Sequence, residues 1–160
     1  MNAHNTNLLD LFFLKKYPHL KWKKFDFEGK LIDDFLYDEL DVTIQNQDPD
    51  YLEDIITLYF IFEINHYPIS KLNEILLVTW HYRHEDIASL LQDICSPESI
   101  NYLYQAIQTK FNYLSFDDSH ALAVKCIWAL GDIGTQEALD KLEILSNSNN
   151  DIIKIMLQNN

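Results

Sequence analysis

Three small groups of residues in this 160-residue chain have types and spacing suited to chemistry. Arg83-His84-Glu85 places an imidazole beside a carboxylate, a pair able to bind a metal or move a proton. His81-x-x-His84 ligates a metal if both rings lie on one helix face. His120 beside Asp117 and Asp118 has the makings of a general base with an orienting carboxylate. Each has a plainer reading. His81 and His84 read as surface histidines at a helix start, and His120 as part of a helix N-terminus. Cys95 and Cys126 are the only thiols. Each falls on an apolar helical face, so both are expected to be buried and free in a reducing cytosol.

Other chemistries lack their residues. With three glycines in the chain, there is no phosphate-cradling loop and no G-x-S-x-G nucleophile elbow. No C-x-x-C pair is present for zinc. No catalytic residue, metal site or cofactor is therefore assigned from the sequence.

The elements that position these residues are centred on Ser119–Asn147, SHALAVKCIWALGDIGTQEALDKLEILSN. Ala121, Val124, Ile127, Trp128 and Leu130 recur at helical spacing, and Trp128 is expected in the core. A second stripe holds Ala138, Leu139, Leu142 and Leu145. Between them, Gly134 suits the residue that ends the first helix, and Thr135 the N-cap of the second. Glu137 and Asp140 fall in the first turns, where negative charge is favoured. Such a helix–turn–helix unit is too short to bury its apolar faces alone and needs neighbours.

A second copy lies upstream at 83–107, RHEDIASLLQDICSPESINYLYQAI. At an offset of 39, Leu91 falls on Leu130, Ile94 on Ile133, Glu98 on Glu137, Ile100 on Leu139 and Leu103 on Leu142. Cys95-Ser96-Pro97 stands in place of Gly134-Thr135-Gln136, and proline suits the first turn of a helix. A weaker third copy runs from Tyr51 through Asn65 to Leu72–Trp80, broken at Tyr67-Pro68. Asp151–Gln158 reads as a last half-unit. Two-helix units with a period of about 40 residues predict an all-α chain, a short α-solenoid.

The stretch Ala123, Ala129, Leu130, Gly131, Asp132, Ile133, Gly134, Thr135, Glu137, Ala138 and Leu142 resembles the HEAT-like repeats of the phycobilisome-lyase type. The resemblance covers 83–158 and fades before that. It implies a right-handed solenoid of about three helical pairs, with the second helix of each pair lining the concave face. That face is expected to expose Glu98, Asn101, Tyr102 and Gln105, then Glu137, Asp140 and Lys141. Nothing in the residues indicates the bilin-lyase activity attached to the repeat's name, and such repeats serve many roles. Arg83-His84-Glu85 also resembles the His-Glu pairs of the HEAT-repeat enzyme deoxyhypusine hydroxylase. That enzyme's di-iron centre needs several pairs on successive repeats. The matching positions here are Ala123 and Val124, then Leu52 and Glu53.

At 18.9 kDa and 48% hydrophobic content, one domain with a real core is expected over 1–160. Residues 1–49 read as an N-terminal cap region and 50–160 as the repeats. Ile55–Ile64 is the longest apolar run, and Thr57 and Glu63 interrupt it. No membrane span and no secretory signal are expected, and the chain reads as cytoplasmic.

Net charge is −13, unevenly spread. Residues 1–30 carry a net +3, from six lysines against Asp10, Asp26 and Glu28. The remainder carries −16, and nine carboxylates lie between Leu31 and Asp54 without one Lys or Arg. Phosphate is repelled by such a surface, so a nucleic-acid partner is not expected. Either the surface attracts a basic protein partner or its charge only maintains solubility.

Leu8–Tyr17 reads as a short helix ended by Pro18. Trp22, Phe25 and Phe27 follow among lysines, either as a membrane-surface stretch or as an end-cap packed on the first repeat. Leu31–Ile44 reads as an amphipathic helix with Ile32, Phe35, Leu36 and Leu40 inward. Asp34, Asp38 and Asp41 share the outward face, with Asp33 close by. Asp48 or Asp50 caps the next helix. Phe111–Asp118 holds Tyr113, Leu114 and Phe116, which either pack on the adjacent unit or form an aromatic and acidic finger.

These features read as a protein-binding module. The residues expected to meet the partner are Asp34, Asp38, Asp41, Tyr102, Gln105, Tyr113, Asp117, Asp118, Glu137 and Asp140. More narrowly, the chain resembles small bacterial HEAT-like immunity proteins that neutralise a toxin. The expected partner is then a toxin domain, a basic nuclease. The alternatives are a HEAT-repeat scaffold or adaptor, and a metal-dependent hydroxylase or lyase.

Overall fold

The computed structural model describes Phe27 and residues 29–62, 64–115 and 120–148. Among these residues every regular element is a helix. Seven α-helices run in order: α1 Ile32–Asn46, α2 Pro49–Ile61, α3 Ile69–Ile75, α4 His84–Ile94, α5 Ile100–Gln108, α6 Ala121–Ile133 and α7 Gln136–Ser146. Short 3-10 turns at Pro97–Ser99 and Asn112–Leu114 lead into and follow α5.

Local sequence accounts for several helix ends. Asp48, not Asp50, caps α2 by accepting from the Tyr51 N–H at 3.0 Å, and Pro49 occupies the first turn. Thr135 caps α7 by accepting from the Ala138 N–H. The Tyr67-Pro68 break separates α2 from α3 as the spacing predicts.

The joints α4–α5 and α6–α7 match at the offset of 39. Cys95 ends α4 at φ 50 and Gly134 ends α6 at φ 61, both left-handed. Ser96 and Thr135 follow, each accepting a backbone N–H with its hydroxyl. Leu91 and Leu130 are both fully buried.

The core runs through all seven helices. Phe35, Leu36 and Leu40 of α1 meet Leu52, Ile55, Ile56 and Leu58 of α2. Ile87, Ala88, Leu90 and Leu91 of α4 and Cys126, Ala129 and Leu130 of α6 continue the same cluster. Each fully buried Leu or Ile contributes roughly 1.5–3 kcal/mol. α4 packs chiefly on α6, and also on α3 and α2, while α5 packs chiefly on α6. α6 carries α7 as well. Phe27 is half-buried and packs edge-on to Phe35 and Phe62 at centroid distances of 5.6 and 5.3 Å. It therefore lies against the first helical pair. Leu8–Tyr17, Trp22 and Phe25, expected in a cap, and Asp151–Gln158, expected as a last half-unit, lie outside the described residues.

Three expectations are corrected. Trp128 is 46% exposed, because α6 buries Leu122, Cys126, Ile127, Ala129 and Leu130, a face rotated from the expected one. Leu139 is exposed, since α7 turns Ala138 and Leu145 inward instead. Cys126 is buried, and burial pushes its thiol pKa up, but Cys95 is exposed because the left-handed joint turns it out of the helix face.

Candidate functional site

His81 and His84 are not at the surface. Both are fully buried, and their rings stack at 4.2 Å. The turn between α3 and α4 folds its own carbonyls onto them. His81 Nε2–H donates to the Ile75 carbonyl at 2.7 Å, and His84 Nε2–H donates to the Val78 carbonyl at 2.7 Å. A carbonyl only accepts, so both rings hold their proton on Nε2. Each Nδ1 then accepts: His81 from the Arg83 N–H at 3.1 Å, His84 from the Tyr113 O–H at 2.8 Å. Phe111 closes over His84 at a centroid distance of 3.9 Å.

Both rings are held neutral. Burial lowers the pKa of His81, and burial with the neighbouring His81 brings His84 down to about 4. Burial likewise raises Tyr113 to about 12. All four ring nitrogens are committed within the protein, so no lone pair faces a metal. Arg83 points elsewhere, to Asp86 at 2.9 Å and Glu53 of α2 at 3.6 Å. The pattern H-x-x-H here serves as an internal clamp. It joins the α3–α4 turn to the α5–α6 connection. Among the described residues no three His, Cys, Asp or Glu side chains are grouped as metal ligands.

The acidic block is less bare than its sequence. Bases from other segments reach it: Lys30 pairs with Asp38 at 2.7 Å, Lys71 with Asp41 at 2.6 Å, and Arg83 with Glu53. The Lys71 ammonium also lies 3.2 Å from the centre of the Tyr37 ring. Asp33 accepts from the backbone N–H groups of Asn65 and His66 at 3.2 Å each, and Glu39 accepts from the Tyr51 hydroxyl. Folding thus compensates carboxylates that have no basic neighbour in sequence. Asp34 remains exposed on the outer strip of α1.

The expected face on the second helices is partly assembled. The Asn101 amide of α5 donates to Glu137 of α7 at 3.3 Å, and Lys141 lies over the Tyr104 ring at 4.7 Å. Asp140 accepts from Gln136 at 2.8 Å along α7. Glu98, Gln105, Glu137 and Asp140 are exposed. Tyr102 is half-buried and packs against the core. The aromatic at the junction is Tyr104, which the sequence reading passed over; its signal was the three-residue spacing from Asn101. Tyr113 serves the buried clamp, with its ring edge-on to the exposed Tyr82 at 5.2 Å. Leu114 is half-buried against the core, so the start of the Phe111–Asp118 connection packs inward. Phe116, Asp117 and Asp118 lie outside the described residues. α1 packs chiefly on α2, whereas α5 and α7 are both carried chiefly by α6.

No family model, curated protein or solved structure matches this chain. None of the helices among the described residues is long and apolar enough to cross a membrane.

Proposed function

We propose that this chain is a protein-binding module: a short α-solenoid of HEAT-like pairs that captures a basic protein partner on its acidic surface. More narrowly, we read it as a cytoplasmic bacterial immunity protein that neutralises a nuclease-type toxin by direct binding. The equivalence of the Cys95 and Gly134 joints supports the repeat reading. A net charge of −13 supports a basic partner, since complementary potentials steer encounter and suppress wrong partners.

One observation carries the proposal. The exposed face of α5 and α7, with the 3-10 turn that leads into α5, presents Glu98, Gln105, Glu137 and Asp140; Asn101 joins the two helices, and the nearby Lys141 is turned onto Tyr104. Its carboxylates point to solvent on rigid helices, where a partner's arginines reach them at little conformational cost.

The test begins with the partner retained by the tagged protein in its native cell, identified and then purified. The expected partner is basic, loses a nuclease activity on forming a one-to-one complex, and associates more slowly as salt rises. An acidic partner, or one whose activity is untouched by binding, overturns the immunity reading; a salt-indifferent rate overturns the electrostatic one.

A further inference from the structure

The His81–His84 cluster is built for neutral rings at every contact. The Ile75 and Val78 carbonyls hold the two Nε2 protons, and the Arg83 N–H faces Nδ1 of His81 at 3.1 Å. A backbone N–H cannot accept. A proton on Nδ1 of His81 therefore sets two donors against each other and breaks that bond. The Tyr113 hydroxyl can turn and accept from a protonated His84, but the charge is then fully buried, with the His81 ring stacked on it at 4.2 Å. Among the described residues no carboxylate meets a ring nitrogen; the four face two carbonyls, one N–H and one hydroxyl. The charged side chains that act on the cluster belong to the start of α4. Glu85, Asp86 and Arg83 reach Tyr113 from there, and Arg83 is itself shared between Asp86 and Glu53 of α2. Asp117 and Asp118, later in the same connection as Tyr113, lie outside the described residues.

The element that closes over the rings is short. Phe111 and Tyr113 lie on His84 at centroid distances of 3.9 and 5.5 Å. The backbone bonds of their turn run within it, from the Leu114 N–H to the Phe111 carbonyl and from the Ser115 N–H to the Asn112 carbonyl. Its hold on α4 is made by side chains, the Tyr113 hydroxyl and the two rings. The first helical pair keeps its own buried set in Phe35, Leu36, Leu40, Leu52 and Ile55. A segment held this way can open at less cost than the whole fold. Once in water, both histidines take a proton near their ordinary value of about 6.5. Each proton gained on opening favours the open state about tenfold per pH unit below that value, and two gained together about a hundredfold.

We propose that His81, His84 and Tyr113 form an acid-operated latch: in a mildly acid medium the two rings take up protons together, and the Phe111–Leu114 connection lifts from α4 while the α1–α2 pair stays folded. One joint gives way before the rest of the structure does. The latch is independent of the partner reading above.

The test is an NMR titration of the full chain, isotopically labelled, from about pH 7.5 to about pH 4.5. The His81 and His84 Cε1–H signals report charge, and the Tyr113 ring and the 111–115 amides report closure. Amide protection in α1 and α2 and the helical circular dichroism report the fold. The two imidazoles are expected to titrate in one steep transition that coincides with movement of Tyr113, the open fraction rising about tenfold or more between about pH 6.5 and 5. α1 and α2 stay protected throughout. Tyr113→Phe weakens the closed state and moves the transition towards neutral pH by about half a unit or more. His84→Gln keeps a donor and an acceptor without a titrating ring, and holds Tyr113 in place to lower pH. Histidines that titrate near 6.5 with Tyr113 unmoved, or that stay neutral with Tyr113 unmoved down to pH 4.5, overturn the latch. Separate transitions for the two rings overturn their action as a pair. Loss of α1–α2 protection in the same transition shows global acid unfolding and overturns the local opening.

Discussion

The hydroxyl of Tyr113 donates to Nδ1 of His84 over 2.8 Å, linking the connection before α6 to the first residue of α4. His84 is fully buried and its other nitrogen is taken by the Val78 carbonyl, so Tyr113 alone satisfies Nδ1. Tyr113→Phe keeps the ring and leaves that nitrogen without a partner. The expected loss is about 1–3 kcal/mol in denaturant unfolding. A change near zero would mean that water replaces the hydroxyl and that the clamp does not depend on Tyr113.

Acid should loosen the protein through the same residue. His84 is held down to about 4, chiefly by burial and then by His81, whereas an unfolded chain protonates histidine near 6.5. Between these values the unfolded state binds more protons, so stability falls as pH drops from about 6.5 towards 4 and levels off below. At 1.36 kcal/mol per pH unit His84 contributes on the order of 3 kcal/mol to that fall. His81, also lowered, adds in the same direction. Urea unfolding across this window checks it, and His84→Gln should flatten the profile.

The carboxylates of α1 should separate into two kinds. Asp41 pairs with a Lys71 side chain that is only 15% exposed, so Asp41→Lys strands a mostly buried ammonium against a like charge. A loss of about 1–3 kcal/mol is expected. Asp34→Lys, at an exposed position, should change stability by less than about 0.5 kcal/mol. Equal losses at both sites would contradict the pairing.

Trp128 and Leu130 give a matched pair for the register of α6. Leu130→Ala, in the core, should cost about 2–5 kcal/mol. Trp128→Ala, at a half-exposed position, should cost less than Leu130→Ala. Thermal or urea unfolding of the two variants settles the register, and the reverse order would return Trp128 to the core.

Cys95 holds the left-handed conformation that glycine adopts without strain. Cys95→Gly should stabilise by about 1 kcal/mol. A thiol reagent should modify Cys95 in the native protein and spare Cys126 until unfolding. Rapid labelling of both would show that α6 opens far more readily than its burial implies.

Sequence periodicity located the helices well, because capping and turn chemistry are local: Asp48, Thr135, Gly134 and the Pro68 break sit where their side chains and ring require. It also matched Cys95 to Gly134, since a joint repeats its backbone whichever residue fills it. What it could not place was side-chain partnership across long separations. The acidic run at 31–54 looks bare because Lys71 and Arg83 arrive from later in the chain. The histidines look like surface ligands because the carbonyls of Ile75 and Val78 that bury them have no side-chain signature. Trp128 was misread because α6 has apolar residues on two faces, and periodicity alone does not say which one turns inward.

The order of helix packing has a kinetic consequence. Every substantial helix contact joins elements close along the chain: α1 with α2, α3 with α4, α4 with α6, α5 with α6, α6 with α7. Contacts this local close small loops, so the search for the native arrangement is short and folding belongs in the microsecond-to-millisecond range of helical proteins. Opening should begin at an end. Among the described residues α7 packs chiefly on α6 and to a smaller extent on α5, whereas α4 has neighbours on several sides. Native-state hydrogen exchange is expected to release the amides of Gln136–Ser146 first and those of His84–Ile94 last.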